Sequence, residues 1–139
     1  MVEAVRDVMT GPPRSVPPQT PVTVVARYMR DEGIGAVLVT EGGRLRGVVT
    51  DRDLVVRVMC QGGNIDHVTA AHACSDVLVT VSPDDDIDRA VTLMRQRAVR
   101  RIPVIDDGRP VGIVTLGDIA VENEPDSVLS AITTAAPNE

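Results

Sequence analysis

Residues 112–119 read GIVTLGDI, and residues 47–54 read GVVTDRDL. Each stretch runs Gly, two β-branched residues, Thr, two variable positions, Asp and an aliphatic residue. The two lie 65 positions apart. Sliding the chain by that interval needs no gap from Val16 to Val56. Val16 meets Val81, Pro18 meets Pro83, Met29-Arg30 meets Met94-Arg95, Val39 meets Val104, and Gly43-Arg44 meets Gly108-Arg109. Other pairs exchange one aliphatic for another, as Val22 with Ile87 and Val37 with Ile102. An apolar pattern kept in phase over such a length is an internal repeat. Two copies are fewer than the roughly three a solenoid needs, so the repeat predicts two like units related by a pseudo-two-fold axis.

Each copy has the same layout. A short extended piece (Ser15-Val16; Thr80-Val81) leads into Pro and Asp punctuation, PPQTP or SPDDD, which favours turns and helix starts. An amphipathic helix is predicted over about 21–32 and 86–97, because Val22, Val25, Ala26 and Met29, and Ile87, Ala90, Val91 and Met94, fall at helical spacing. A strand follows (36–40; 102–105), then a Gly- and Asp-rich hairpin turn, EGGR or DDGR. A second strand ends at Thr50 or Thr115, and a second helix begins at once. The fold class is α/β, with β-α-β-β-α occurring twice. The reading assigns unit 1 to residues 1–61, a linker and the start of unit 2 to 62–74, unit 2 to 75–124, and a tail with a short helix to 125–139.

Composition narrows the function. The 139 residues are 43% hydrophobic, enough for a core, but Tyr28 is the sole aromatic residue. All 14 basic residues are arginine and the net charge is −6, which disfavours wrapping a nucleic-acid backbone. The shortage of aromatics disfavours single-strand stacking. No run of 18 apolar residues is present to span a membrane, and MVEAVRDVM lacks the basic flank and apolar stretch of a signal peptide. A cytoplasmic location is expected, and with it free thiols at Cys60 and Cys74.

The doubled phrase has two physical readings. Thr followed by an acid three residues on is close to a capping box, and the Asp also suits the positive end of the helix dipole. The same corner suits a nucleoside phosphate. Amides free at a helix start favour phosphate, a Thr hydroxyl can bond phosphate or ribose, and a carboxylate one turn on can accept both ribose hydroxyls. The two readings are compatible.

The tandem β-α-β-β-α units, VRDVMT at 5–10, GVVTDRDL at 47–54 and VRRIPVIDDGRPVGIVTLGDI at 99–119 together resemble a cystathionine-β-synthase-type (CBS) domain pair, the Bateman module. The likeness covers residues 4–122. It implies a non-catalytic sensor that binds AMP, ADP, ATP, S-adenosylmethionine or a related adenosyl compound in clefts between the units, with no cofactor required. It implies ribose contacts from Asp53 and Asp118, phosphate or ribose contacts from Thr50 and Thr115, and phosphate contacts from Arg100 and Arg101. It also implies a homodimer stacked through helices, with an output through that dimer or through a separate protein target. The copies differ: Gly35 and Ala36 stand where the second copy has Arg100 and Arg101, while Arg52 stands where the second copy has Gly117. TAAHACS at 69–75 departs from the family's DVM-type opening.

Three alternatives compete. His67, His72, Cys74 and Cys60 lack the paired short spacings of a structural zinc site, and no metal ligand is expected. No triad, P-loop or GxGxxG supports an enzyme. A ligand-free dimerisation module is the remaining rival, with a metal- or redox-responsive protein behind it.

Overall fold

The structure is a computed structural model that describes residues 3–76, 79–123 and 128–135. In chain order the elements are α1 (Val5–Val8), β1 (Ser15–Val16), α2 (Val22–Glu32), β2 (Ala36–Glu41), β3 (Arg44–Thr50), α3 (Asp51–Asp53), α4 (Ala70–Ala73), α5 (Ile87–Arg97), β4 (Arg101–Asp106), β5 (Arg109–Thr115), α6 (Leu116–Asn123) and α7 (Val128–Thr134). The chain divides into two compact units, Pro13–Leu78 and Met1–Pro12 with Val79–Glu139.

The Pro13–Leu78 unit holds the first repeat. β1 lies parallel to β2, and β2 is antiparallel to β3. The β2–β3 hairpin turns at Gly42 and Gly43, both at positive φ, the backbone that a two-residue turn between twisted strands demands. α2 lays Val22, Val25 and Met29 on Val16, Val37, Val39 and Val49. The predicted second helix is irregular. After α3 the backbone widens into a π turn over Leu54–Val58 and tightens into a 3-10 turn over Met59–Gln61. Val55, Val56 and Met59 project from it into solvent. The chain then returns to close its own core with Ala70 and Ala73 of α4.

The other unit repeats this plan with the second repeat. β4 is antiparallel to β5, and Val81 bridges Val104 in parallel, as β1 does on β2. The register shift between Val104 and Ile105 matches that between Val39 and Thr40. The hairpin turns at Asp107 and Gly108, again at positive φ. Ile87, Ala90 and Met94 of α5 pack on Val81, Ile102, Val104 and Val114, and Val5 of α1 completes this core. Arg6 of α1 pairs with Asp84.

The two helices and four longer strands fall where the periodicity puts them, and the halves share one strand order. The compact units cross the boundaries of the repeats. Residues 64–74, within the 62–74 stretch assigned to the linker and start of unit 2, fold back on the first repeat together with Ser75, and residues 4–10 pack with the second. The cause is burial: each repeat's core lacks one apolar helical turn, which α4 supplies in one case and α1 in the other. The tail helix expected from Pro125 spans Val128–Thr134, and residues 124–127 lie outside the described residues. Among the described residues no helix is long and apolar enough to cross a membrane.

Candidate functional site

In the second repeat β5 stops at Thr115 and α6 starts at Leu116. Thr115 Oγ1 accepts from the Asp118 amide at 3.0 Å, and Asp118 Oδ2 accepts from the Thr115 amide at 3.1 Å. This is a reciprocal capping box with Asp in place of Glu. Arg100 and Arg101 are drawn to the same corner by backbone bonding. The Leu116 amide donates to the Arg100 carbonyl at 2.8 Å, and Arg101 lies opposite Thr115 in the β4–β5 register. Both arginines are exposed. Among the described residues neither makes an ion pair; Asp84 and Asp85 engage Arg6 and Arg89. Asp118 Oδ1 takes no hydrogen bond among the described residues. A carboxylate offers about four lone-pair sites, so acceptor capacity remains at this corner. A groove of about 480 Å³ opens beside it, with Met94, Arg95, Arg100 and Leu116 in its lining.

Gly117, the second residue of α6, carries α7. A Cβ there would lie 2.5 Å from Thr133 Oγ1 and 2.9 Å from its Cγ2. α7 therefore seats on the first turn of α6 on the side where the first repeat has Arg52.

The first repeat builds the same corner and engages both oxygens of its carboxylate. Thr50 Oγ1 accepts from the Asp53 amide at 3.1 Å, and Asp53 Oδ2 accepts from the Thr50 amide at 2.9 Å. Its Oδ1 accepts from the Ser75 hydroxyl at 3.2 Å and lies 3.6 Å from Arg57 Nε. The Asp53 side chain is 13% exposed. The Asp51 amide donates to the Gly35 carbonyl at 3.1 Å, as Leu116 does to Arg100, but Gly35 brings no cation. Arg52 is exposed, its own amide bonded to Asp51 Oδ1. So the structure gathers Thr115, Asp118, Arg100 and Arg101 at one corner, and Thr50, Asp53 and Arg52 at the other.

Sequence reasoning missed two features. One is Ser75, assigned to unit 2, whose partner Asp53 lies 22 positions away in unit 1. The other is the role of the glycine that opens the phrase. A Cβ on Gly47 would meet the Ser75 carbonyl at 2.8 Å and Cys74 Sγ at 2.9 Å, and one on Gly112 would meet the Thr10 carbonyl at 2.5 Å and Met9 Sδ at 2.7 Å. The signal was present: 4–10 and 69–75 are also 65 positions apart, although their side chains have diverged.

Cys60 is exposed and Cys74 half-buried, both as thiols. Burial pushes the Cys74 thiol above its ordinary pKa, more than Arg46 lowers it, so it is a poor nucleophile. Among the described residues no three His, Cys, Asp or Glu side chains come together as a metal site.

The CBS domain family matches residues 5–59 and 70–122. The chain is 35% identical over 133 residues to the CBS domain-containing protein YhcV of Bacillus subtilis, covering 95% of this chain and 94% of that protein. It is 36% identical over 116 residues to Hypoxic response protein 1 of Mycobacterium tuberculosis, 83% and 81% of the two chains. An uncharacterized protein of Methanopyrus kandleri is 42% identical over 116 residues, and there the match spans 82% of this chain but only 57% of the relative. Among solved structures, Hypoxic Response Protein I with two coordinated zinc ions superposes with a TM-score of 0.77 at 35% identity, covering 86% of this chain and 98% of that one. A CBS domain pair in complex with 5′-methylthioadenosine and S-adenosyl-L-methionine superposes with a TM-score of 0.79 at 22% identity, covering 91% and 100%.

Proposed function

The chain belongs to the CBS domain family, and on that premise we propose that it is a non-catalytic regulatory module that binds an adenine nucleotide at the corner of Thr115, Asp118, Arg100 and Arg101. The observation that carries this reading is the unspent bonding capacity there. Among the described residues Asp118 Oδ1 takes no hydrogen bond, and Arg100 and Arg101, whose backbone adjoins Leu116 and Thr115, are exposed and make no ion pair. Ribose hydroxyls would donate to Asp118. The α-phosphate would meet Arg100 or Arg101, whose forked donors suit phosphate oxygens. Two cations favour AMP, ADP or ATP over S-adenosylmethionine, whose sulfonium is itself positive. The base would rest on aliphatic side chains, since aromatics are scarce. At 22% identity the adenosyl-bound CBS pair speaks to the fold, and a fold of this kind has room for such ligands.

Zinc is a poorer fit. Hypoxic Response Protein I coordinates two zinc ions, but the described residues here bring no three ligating side chains together. A second function has its own support. Val55, Val56 and Met59 are 52%, 46% and 65% exposed on the irregular helix after α3. Aliphatic side chains displayed together mark an association surface, and we assign it to a second copy of this chain.

Thermal unfolding with AMP, ADP, ATP and S-adenosylmethionine tests the nucleotide reading. Ligand at about 100 times its dissociation constant adds about 2.7 kcal/mol of stability. A melting temperature that rises with AMP, ADP or ATP supports the reading. No shift with any of the four at millimolar concentration refutes it.

A further inference from the structure

The two corners carry the same Thr and Asp, yet Asp53 has both carboxylate oxygens engaged, while among the described residues Asp118 has only Oδ2 engaged. Asp53 Oδ1 receives the Ser75 hydroxyl at 3.2 Å and faces Arg57 Nε at 3.6 Å, while Oδ2 receives the Thr50 amide at 2.9 Å. A ribose hydroxyl would donate to that same Oδ1. The equivalent of Ser75 in the other unit is Thr10. Ser75 exchanges both backbone bonds with Val48, and Thr10 exchanges both with Ile113. The Thr10 hydroxyl, however, turns to the Ile113 carbonyl at 3.3 Å and leaves Asp118 alone. The corners therefore differ in where one hydroxyl points, and in Arg57, whose counterpart 65 positions on is Glu122.

We propose that Ser75 is an internal stand-in for a ribose hydroxyl. With Arg57 it latches Asp53 shut, so that the chain offers a single nucleotide corner, the one at Asp118. Displacing the latch would exchange one hydroxyl–carboxylate bond for another with no gain, and the exchange would also have to disturb the ion pair to Arg57. Among the described residues Asp118 Oδ1 has no such competitor. This inference rests on the nucleotide reading above.

The test is calorimetric titration of the full chain with AMP and adenosine, reading stoichiometry as well as affinity. Ser75→Ala removes only the hydroxyl, because the bonds to Val48 come from backbone groups, so the fold survives the change. Expected are one site per chain in the parent, a ten- to hundredfold loss in Asp118→Ala, two sites in Ser75→Ala, and one retained site in Ser75→Ala/Asp118→Ala. Ser75→Thr, which keeps the hydroxyl, should match the parent. Two sites in the parent, parent binding lost in Asp53→Ala rather than Asp118→Ala, or no added site in Ser75→Ala would each overturn the latch while leaving the nucleotide reading intact. Binding by none of these proteins would overturn the nucleotide reading, and the latch with it.

Discussion

Gly112 shows how closely single residues are specified. Its missing side chain lets the backbone of Thr10 cross β5, and the amides and carbonyls of Thr10 and Ile113 fix that crossing. A methyl group at 112 would sit 2.5 Å from the Thr10 carbonyl oxygen. Backbone cannot swing away as a long side chain can, so Gly112→Ala should cost about 1–3 kcal/mol in urea unfolding. Glu3 makes a different kind of prediction. Its Oε2 is buried without a hydrogen-bond partner among the described residues. Burial, and then the negative charge of Glu122, raise its carboxyl above the ordinary 4.5. A raised acid in the folded state means that the unfolded chain ionises first. The penalty is absent below about pH 4.5 and grows as pH rises towards the folded value. Glu3→Gln should therefore gain stability over the parent at pH 7 and little at pH 4. An equal difference at both pH values would contradict this account.

At the scale of elements, the matched ends of α2 and α5 differ in one atom that counts. Both helices stop in a left-handed residue, Gly33 at φ 63° and Ala98 at φ 54°. Ala bears about 1–2 kcal/mol of steric cost in that conformation, while Gly brings about 0.5–1 kcal/mol of added unfolded-state entropy. Ala98→Gly should accordingly stabilise by a few tenths to about 1 kcal/mol, and Gly33→Ala should destabilise by a similar amount, both read from thermal melts. These elements were legible in the sequence because their apolar positions repeat at 3.6 and 2 residues. The helix after Thr50 was only half legible. Leu54, Val55, Val56 and Val58 read as one helical run, and nothing in that run foretells the π turn. The candidate corner was legible too, since Thr115 and Asp118 are neighbours in sequence and Arg100 and Arg101 stand at the start of the strand paired with Thr115. Ser75 was not. Its bond to Asp53 depends on a chain return that no local pattern encodes.

For the molecule as a whole, the repeat announced two like units but concealed how the chain is shared between them. Residues 4–10 serve the second repeat and 69–75 the first, an exchange governed by the cores that Val5 and Ala70 complete. The exposed Val55, Val56 and Met59 carry the prediction of a homodimer. Sedimentation at micromolar concentration should give twice the 14.8 kDa chain mass, and Val55→Asp/Met59→Asp should shift it to the monomer. A parent that sediments as a monomer would remove that assignment without touching the nucleotide site. The central claim is that the doubled phrase does more than start a helix. Asp118→Ala, measured for AMP affinity and for unfolding free energy on the same protein, tests it most directly. Loss of hydrogen bonds to a charged acceptor, about 1.5–3 kcal/mol, predicts a ten- to hundredfold weaker affinity, while loss of the helix-dipole interaction predicts a stability change of only about 0.3–1 kcal/mol. Unchanged AMP affinity alongside reduced stability would show that Thr115 and Asp118 cap α6 and do nothing else.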